Sequence, residues 1–306
     1  MRDDDVRPGD GSADPHPAQL AVGVVGAGRV GTAMAAALAR AGHRVVAASA
    51  VSQASLDRIA ASLPWVPVLR PQQVAERADL VLLTVPDDAL PGLVAGLAAT
   101  EVPMEGKLVA HASGRHGLAV LEPVVVRGAL PFALHPVMTF TGRPEDVARM
   151  AGIRFGVTAP AALRPVAELL VVEMGGEPVF IDDDKRGIYH AALATAANYL
   201  VTLVVEATDM LHEAGVVDPA SMLGPLLAAS LENSLSLGPA ALTGPVARGD
   251  AETVAAHIAA IKAAAPEALS AYLALARLTA DRALAAHTLT ADDAERLLGV
   301  LSGPTA

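Results

Sequence analysis

The chain has 306 residues and a formal net charge of −11, with 53% hydrophobic and 3% aromatic residues. The acidic balance argues against a nucleic-acid or anionic-membrane partner, and the absence of cysteine excludes disulfides, thiolate metal sites and a cysteine nucleophile. Residues 1–18 carry five aspartates against two arginines, without an apolar period or the core of a signal peptide. We therefore expect a disordered tail at 1–18, and a cytoplasmic protein.

The first element after the tail is a strand, a glycine turn and a helix. An apolar run at 20–25 leads into Gly26-x-Gly28-x-x-Gly31, and small residues at helical spacing continue to Gly42. This is the pattern of a dinucleotide-binding unit, in which the three glycines permit the turn, the approach of a pyrophosphate and close helix packing. The expected cofactor contacts are Gly26, Ala27, Gly28, Arg29, Val30 and Gly31.

Strands and helices then alternate. Apolar runs predict strands at 44–48, 80–86, 107–110, 129–134, 153–157 and 179–181. Helices are predicted at 53–62, at 89–97 with Asp87 or Asp88 as its N-cap, and between the last two strands. This alternation indicates an α/β, Rossmann-type doubly wound parallel sheet over residues 19–181.

The pattern changes at residue 182, after which strands disappear. Three aspartates at 182–184 open a long predicted helix that reaches about His212, and Asp218, Asp250 and Thr290 are predicted helix caps. We therefore expect an all-helical substrate and dimerisation domain over 182–306. The apolar stretch at 188–205 contains several polar residues, which favours a buried core helix over a membrane span. Helix faces that lack charge make a homodimer plausible.

The end of the second strand bears on the choice of cofactor. An NAD site usually has Asp or Glu there, but this strand ends at Ser49 and the next acid is Asp57. Hydroxyls at Ser49, Ser52 and Ser55, with Arg58 nearby and without a carboxylate, favour NADP over NAD; the alternative is that these serines only solvate a loop. The end of the third strand should border the ribose or nicotinamide through Thr84, Val85 and Pro86.

Several segments together carry a family resemblance. They are GAGRVG, ADLVLLTVPDDAL, HASGRHG at 111–117, ALHPVMTF at 133–140, YHAALATAANYLVTL at 189–203 and ALTGPVARGD at 241–250. The chain resembles the superfamily of β-hydroxyacid dehydrogenases, ketopantoate reductase and pyrroline-5-carboxylate reductase, and more closely a bacterial branch of Rossmann-like proteins with a C-terminal domain of unknown function. The resemblance implies an NADP-linked reductase or dehydrogenase with its active site between the domains.

One departure from the superfamily concerns the proton donor. In the β-hydroxyacid dehydrogenases and ketopantoate reductase a catalytic Lys lies four residues before an Asn on the first helix of the C-terminal domain. Asn198 matches that Asn, but the Lys position is Ala194, which has no proton to give. Lys185 lies too far upstream to replace it.

Other polar residues are therefore candidates for the chemistry. His190 and His135 are candidates to polarise or protonate a substrate, with Asn198 orienting it and Tyr189 as a further donor. The predicted substrate-binding residues are His111, Ser113, Asn233, Thr243 and Arg248, the last as a fork for a carboxylate. Each has a structural alternative, such as a satisfied core histidine or a capped loop. Neither His111 with His116 nor the aspartates at 182–184 have metal-site spacing, so we expect no metal.

These residues predict hydride transfer to a ketone or imine of a small carboxylic acid in an interdomain cleft. Two alternatives remain open at this point. The missing Lys is compatible with a non-catalytic NADP(H)-binding sensor or regulatory protein. A structural dimer with a vestigial site is the third alternative.

Overall fold

The structure is a computed structural model that describes residues 19–302. The predicted tail at 1–18 lies outside the described residues. The chain divides between residues 194 and 195 into two compact units. The first unit is the α/β part and the second is helical, so the division falls later than the expected 181. The first turns of the long helix belong to the first unit because Arg186 is bonded to its sheet.

Seven strands form one sheet in the first unit, in the order β2-β1-β3-β4-β5-β6-β7. They are β1 Ala21–Val25, β2 Arg44–Ser49, β3 Leu80–Leu83, β4 Leu108–His111, β5 Leu130–Pro136, β6 Arg154–Thr158 and β7 Glu177–Phe180. The Rossmann-type fold class is confirmed, but the sheet is not wholly parallel. β5 and β6 are antiparallel, because the segment that joins them contains only one short helix and makes no full crossover.

Helices cover both faces of this sheet. They are α1 Arg29–Arg40, α2 Gln53–Ser62, α3 Pro71–Arg77, α4 Leu90–Ala98, α5 Glu122–Val125, α6 Glu145–Arg149 and α7 Arg164–Glu173, and the long α8 Arg186–Glu213 follows. The predicted α2 has the observed bounds. The predicted cap of α4 is wrong: Ala89 is its N-cap and no side chain caps it. Pro91, in the first turn of α4, has no N–H that a capping side chain could accept.

The strands are apolar on both faces because each face is covered. Val22 and Val24 of β1 pack into one hydrophobic cluster with α1, and Val25 packs into a second cluster with α3 and α4. β3 alternates in the same way, with Leu82 in the first cluster and Leu83 in the second. Continuous apolar runs are therefore the expected signature of these strands.

Within residues 195–302 the second unit contains the rest of α8 and four more α-helices. They are α9 Pro219–Leu237, α10 Ala251–Ala264, α11 Leu269–Ala285 and α12 Ala291–Leu301. The predicted caps are observed: Asp218, Asp250 and Thr290 each accept a backbone N–H in the first turn of the next helix. A small core of α10, α11 and α12 residues holds this unit together.

The long helix corrects one expectation. The helical segment Asp183–Glu213 is long and apolar enough to cross a membrane by length and composition, with mean hydropathy 1.5 in its most apolar window. None of that window is buried in the chain, so the prediction of a buried core helix is wrong. Hydrophobic content in a sequence cannot distinguish burial within a chain from burial against another molecule.

Candidate active site

The glycine turn between β1 and α1 is held by β2 and by the loop after β3. Gly26 has a φ of +89°, and the N–H groups of Gly26 and Ala27 both donate to the carbonyl oxygen of Ser49, at 3.0 and 2.8 Å. A Cβ on Gly31 would collide with the hydroxyl of Thr84, which lies in the loop beyond the end of β3. Ser49 therefore supports the turn through its backbone, and its buried side chain does not line the pocket described below.

The N-terminus of α1 is free to bind an anion. Gly28 is the N-cap, and no side chain accepts the N–H groups of the first turn. A Cβ on Gly28 would meet no atom closer than 3.8 Å, so its missing side chain leaves open space in front of these N–H groups. Free helix N–H groups behind a gap of this kind fit the pyrophosphate of a dinucleotide.

One pocket of about 580 Å³ begins at this turn and ends at two imidazole rings. Predicted site residues that line it are Gly26, Ala27, Gly28, Arg29, Val30, Ser52, Thr84, Val85, Pro86, Ser113, His135 and His190. Residues on distant parts of the first unit are thus brought together at the carboxyl ends of β1, β3, β4 and β5. The pocket has the volume typical of small-molecule and cofactor sites.

The pocket wall nearest β2 carries hydroxyls and a cation. The Ser52 and Ser55 hydroxyls are 3.0 Å apart, and Nη1 of Arg58 donates to the Ser55 hydroxyl at 3.2 Å. A Cβ on Gly142 would lie 2.7 Å from Nε of Arg58 and 3.0 Å from Cγ of Arg29, so the two arginine side chains converge there. Ser55 lines the pocket beside Ser52, as expected, whereas Arg58 does not line it and reaches it through its hydrogen bond to Ser55.

The other end of the pocket contains His135 of β5 and His190 of α8. Their ring centroids are 6.1 Å apart with an interplanar angle of 89°. Nδ1 of His135 is 2.8 Å from the hydroxyl of Tyr189. A Cβ on Gly114 would lie 3.0 Å from Nε2 of His135 and 2.6 Å from Cδ2 of His190, so only a glycine leaves the space beside both rings open.

His135 is a neutral imidazole in this environment. Burial, followed by the positive charge of Arg186, lowers its pKa to about 4. It therefore offers a substrate the N–H of a neutral ring, and not the acidic proton of an imidazolium ion. A neutral imidazole can polarise a carbonyl or imine by hydrogen bonding.

Arg186 is a buried cation behind these rings, and its side chain is 1% exposed. Nη2 donates to the carbonyl oxygen of Ser113 at 2.5 Å, and Nη1 donates to the Thr158 hydroxyl at 3.1 Å. Its guanidinium carbon lies 5.6 Å from the centroid of the Tyr189 ring. No ion pair of Arg186 with a carboxylate is observed within residues 19–302. Sequence reasoning missed it; a single arginine at the start of the most apolar helix is the signal that could have found it.

His111 lies behind the pocket and does not line it. Its ring is buried, and its Nε2 is 3.0 Å from the carbonyl oxygen of Gly117. Burial lowers its pKa to about 4. Ser113 lines the pocket, but its hydroxyl accepts the N–H groups of Arg115 and His116. These contacts indicate that His111 and the Ser113 hydroxyl shape the loop after β4.

The remaining predicted site residues lie in the second unit. Asn198, Asn233, Thr243 and Arg248 are all exposed. The guanidinium of Arg248 donates to the carbonyl oxygen of Thr243 within its own loop. Their roles toward a substrate stay predictions.

Comparison with known families matches the two parts of the chain separately. A Rossmann-like domain matches residues 6–136, and the domain of unknown function DUF2520 matches residues 153–279. Each of the two matches covers less than half of the chain. The match to DUF2520 begins at the start of β6, so this domain contributes the last two strands of the sheet as well as helices.

Curated relatives share about half of the chain. Glycerol-3-phosphate dehydrogenase [NAD(P)+] of Bradyrhizobium sp. strain BTAi1 is 34% identical over 181 residues, which are 55% of this chain and 54% of that protein. The enzyme of the same name from Bradyrhizobium sp. strain ORS 278 is 31% identical over 203 residues, 62% of this chain and 61% of that protein. The chain thus spans a little over half the length of these relatives.

Solved structures share the whole architecture. A candidate NADP oxidoreductase, BF3122 from Bacteroides fragilis, has a TM-score of 0.73 at 22% identity, over 86% of this chain and 98% of that one. An imine reductase from Myxococcus stipitatus in complex with NADP+ has a TM-score of 0.64 at 15% identity, over 85% and 94% of the two chains. At these identities the likeness establishes the fold alone.

Proposed function

We propose that this protein is an NADP(H)-dependent reductase that transfers a hydride to the carbon of a ketone or imine in a small carboxylic acid. The observation that carries the proposal is that one continuous pocket runs from the uncapped N-terminus of α1 to His135 and His190. A bound nicotinamide dinucleotide would supply the hydride. The glycine turn would hold its pyrophosphate, and Thr84, Val85 and Pro86 would border its ribose or nicotinamide.

The preference for NADP rests on the wall nearest β2. Ser52 and Ser55 line this wall with two hydroxyls, and Arg58 lies behind Ser55 with its guanidinium donating to the Ser55 hydroxyl. Hydroxyls and a guanidinium are the donor set that binds a phosphate group. Among the described residues that line the pocket the only carboxylate is Asp87, which follows β3 and not β2. No carboxylate on this wall would accept the 2′-hydroxyl of NAD or repel the 2′-phosphate of NADP.

At the other end, His135 would polarise the reacting carbonyl or imine. The Nε2 atom of its neutral ring lies beside Gly114, next to the space that a substrate would enter. His190 would contact the same substrate from α8. The proposal includes Arg248 as the anchor of a substrate carboxylate and Asn198 as a residue that orients the substrate. Both roles are assigned from the chemistry of the two side chains.

A non-catalytic NADP(H) sensor is the second candidate. The observation that favours it is Ala194 at the position of the superfamily's proton-donating Lys. A sensor would bind NADPH as tightly as a reductase does, but it would oxidise none of it in the presence of reducible substrates. In a sensor, replacing His135 could change only nucleotide binding, because there would be no turnover to change.

The test is a titration of the full chain with NADPH and with NADH, followed by nucleotide fluorescence and thermal shift. We expect NADPH to bind at least about tenfold more tightly, which corresponds to about 1.4 kcal/mol. A panel of keto acids, ketones and cyclic imines is then screened for NADPH oxidation. Absence of binding would overturn the proposal, and binding without turnover across the panel would favour the sensor.

We also propose a homodimer formed through α8 and α9. Their exposed apolar residues include Tyr199, Val201, Leu226 and Leu235, and Leu235 is 81% exposed. α8 also carries polar residues along its length, among them Asn198 and Glu206, which suit a protein interface better than a hydrocarbon core.

Light scattering at micromolar protein concentration tests whether the chain forms this homodimer. We expect twice the mass of the chain, and a monomer after Leu235 and Leu226 are both changed to Asp. A wild-type monomer would contradict the proposal, and co-sedimentation of the wild type with phosphatidylcholine vesicles would assign the surface to a membrane.

A further inference from the structure

The hydroxyl of Tyr189 lies between two strands and a buried cation. It is 2.8 Å from Nδ1 of His135 on β5, and Gly156 of the adjacent β6 has no side chain where the hydroxyl sits. The guanidinium of Arg186, one turn earlier on α8, faces the Tyr189 ring. The hydroxyl therefore has one side-chain partner and a positive charge beside it.

The direction of the hydrogen bond follows from these neighbours. Tyr189 is half-buried, and among the described residues Nδ1 of His135 is the side-chain atom that hydrogen-bonds to its hydroxyl. The backbone N–H of Gly156 and the guanidinium of Arg186 are donors, so neither can accept the hydroxyl proton. Among these neighbours the Tyr189 hydroxyl therefore donates to Nδ1 of His135, and the neutral imidazole carries its own proton on Nε2.

This tautomer points the proton at the pocket. Nε2 of His135 is the ring nitrogen next to Gly114, at the edge where the pocket meets both imidazoles. Tyr189 itself is not among the residues that line the pocket. Its hydroxyl therefore acts on a substrate through His135.

We propose that Tyr189 and His135 form a proton relay that supplies the proton of the reduction, with Arg186 as the countercharge. This inference rests on the proposed function. When hydride from a reduced nicotinamide dinucleotide reaches the carbonyl carbon, the C–O π electrons move to the oxygen and the dinucleotide becomes the oxidised cation. The oxygen takes the proton from Nε2, Nδ1 takes the proton of the Tyr189 hydroxyl, and the phenolate is left beside Arg186.

The relay returns to its starting state when Nδ1 of His135 gives its proton back to the phenolate oxygen and Nε2 takes one proton from solvent. Burial raises the pKa of the Tyr189 hydroxyl, and the positive charge of Arg186, which has no carboxylate ion-pair partner among the described residues, offsets part of that cost of forming the phenolate. The relay also assigns the proton donor that Ala194 does not provide.

The experiment begins with the protein free of nucleotide. Imidazole 15N NMR of the full chain reports which nitrogen of His135 carries the proton, and His135→Gln assigns the signals. We expect Nε2 protonated and Nδ1 bare in the wild type, and a mixture of tautomers in Tyr189→Phe. The control is Tyr272→Phe, which removes the hydroxyl 3.1 Å from Nδ1 of His257 and should leave the His135 signals unchanged.

Turnover is then measured with NADPH and a substrate from the panel. We expect Tyr189→Phe to lower kcat by about 10- to 100-fold, to leave the dissociation constant of NADPH unchanged, and to alter the solvent isotope effect on kcat. Gly156→Ala is a second variant, since its methyl group would collide with the hydroxyl without removing it. It should lower kcat in the same way.

The relay is overturned if Nδ1 of His135 carries the proton in the wild type, or if Tyr189→Phe has the wild-type kcat. Either result leaves the reductase standing when NADPH binds and is oxidised. If the wild type has the expected tautomer but does not bind NADPH, the proposed function fails and the relay fails with it.

Discussion

The two units each contain a histidine and a tyrosine in the same relative arrangement. His135 and Tyr189 have ring centroids 5.7 Å apart at 88°, with 2.8 Å between Nδ1 and the hydroxyl. His257 and Tyr272 have centroids 6.1 Å apart at 79°, with 3.1 Å between the same atoms. The pairs are therefore nearly equivalent in geometry.

Their surroundings differ in burial and charge. Arg186 lies against the first pair, and burial lowers the pKa of His135 to about 4. His257 is exposed, and no cation lies over the ring of Tyr272 among residues 19–302. A hydrogen bond between a histidine and a tyrosine is therefore not enough to identify a candidate functional site. The first pair is a candidate because a buried charge and an open pocket adjoin it.

Replacing the two histidines should give the largest difference between the pairs. His135→Ala removes the group that would polarise the substrate, and we expect kcat to fall by about 10²- to 10⁴-fold with little change in NADPH affinity. His257→Ala should leave kcat within about twofold. Steady-state kinetics with a substrate from the panel makes this comparison, and equal effects of the two changes would end the distinction between the pairs.

Gly114→Ala tests whether the space beside His135 matters, without removing any polar group. The added methyl would lie 3.0 Å from Nε2 of His135 and 2.6 Å from a carbon of His190. We expect kcat/KM to fall by about 100-fold while NADPH still binds. The control is Gly187→Ala on the adjacent helix, where a Cβ would meet nothing within 4 Å. A wild-type kcat/KM in Gly114→Ala would show that the substrate binds elsewhere.

Acid should destabilise the first unit through its buried imidazoles. The pKa of His111 is about 4 in the folded protein, below its usual 6.5, so the unfolded chain binds a proton that the folded chain does not. The contribution of the buried His111 ring to the free energy of unfolding is complete above about pH 6.5 and is lost as the pH falls toward about 4. A shift of this size corresponds to on the order of 3 kcal/mol.

Urea unfolding at about pH 7.5 and about pH 5 measures this loss. His111→Gln should reduce the difference between the two pH values, because it removes the titrating group. His257→Gln, at an exposed position, should leave the difference unchanged. If the two variants change it equally, the burial of His111 is not its cause.

The smallest expected effect concerns the nucleotide alone. Arg58→Ala removes the guanidinium next to Ser55, and we expect the dissociation constant of NADPH to rise about tenfold while that of NADH changes by less than about twofold. Arg40→Ala, at the far end of α1, is the matched control. Equal weakening of both nucleotides by Arg58→Ala would mean that Arg58 supports the loop and does not contact a 2′-phosphate.

Local patterns were sufficient for most of the first unit. The spacing of Gly26, Gly28 and Gly31 predicts the turn from a few consecutive residues. Gly26 has the positive φ that favours glycine, whereas the close approach of Thr84 to Gly31 comes from a residue distant in the sequence. The caps at Asp218 and Asp250 are equally local. The reversal of β6 was missed because strand direction depends on how the connecting segment packs, which no period in the sequence records.

In the candidate site, too, some features follow from local sequence patterns and others from tertiary packing. The sequence by itself determined that a dinucleotide-type turn, several serines and a set of histidines are present, since each follows from short-range composition and spacing. Only the tertiary structure decided that His135 and His190 share the pocket while His111 faces Gly117 behind it, and that Arg186 and Tyr189 adjoin His135. These groups come from separate strands and helices, and their proximity and charge depend on the packing of the whole unit.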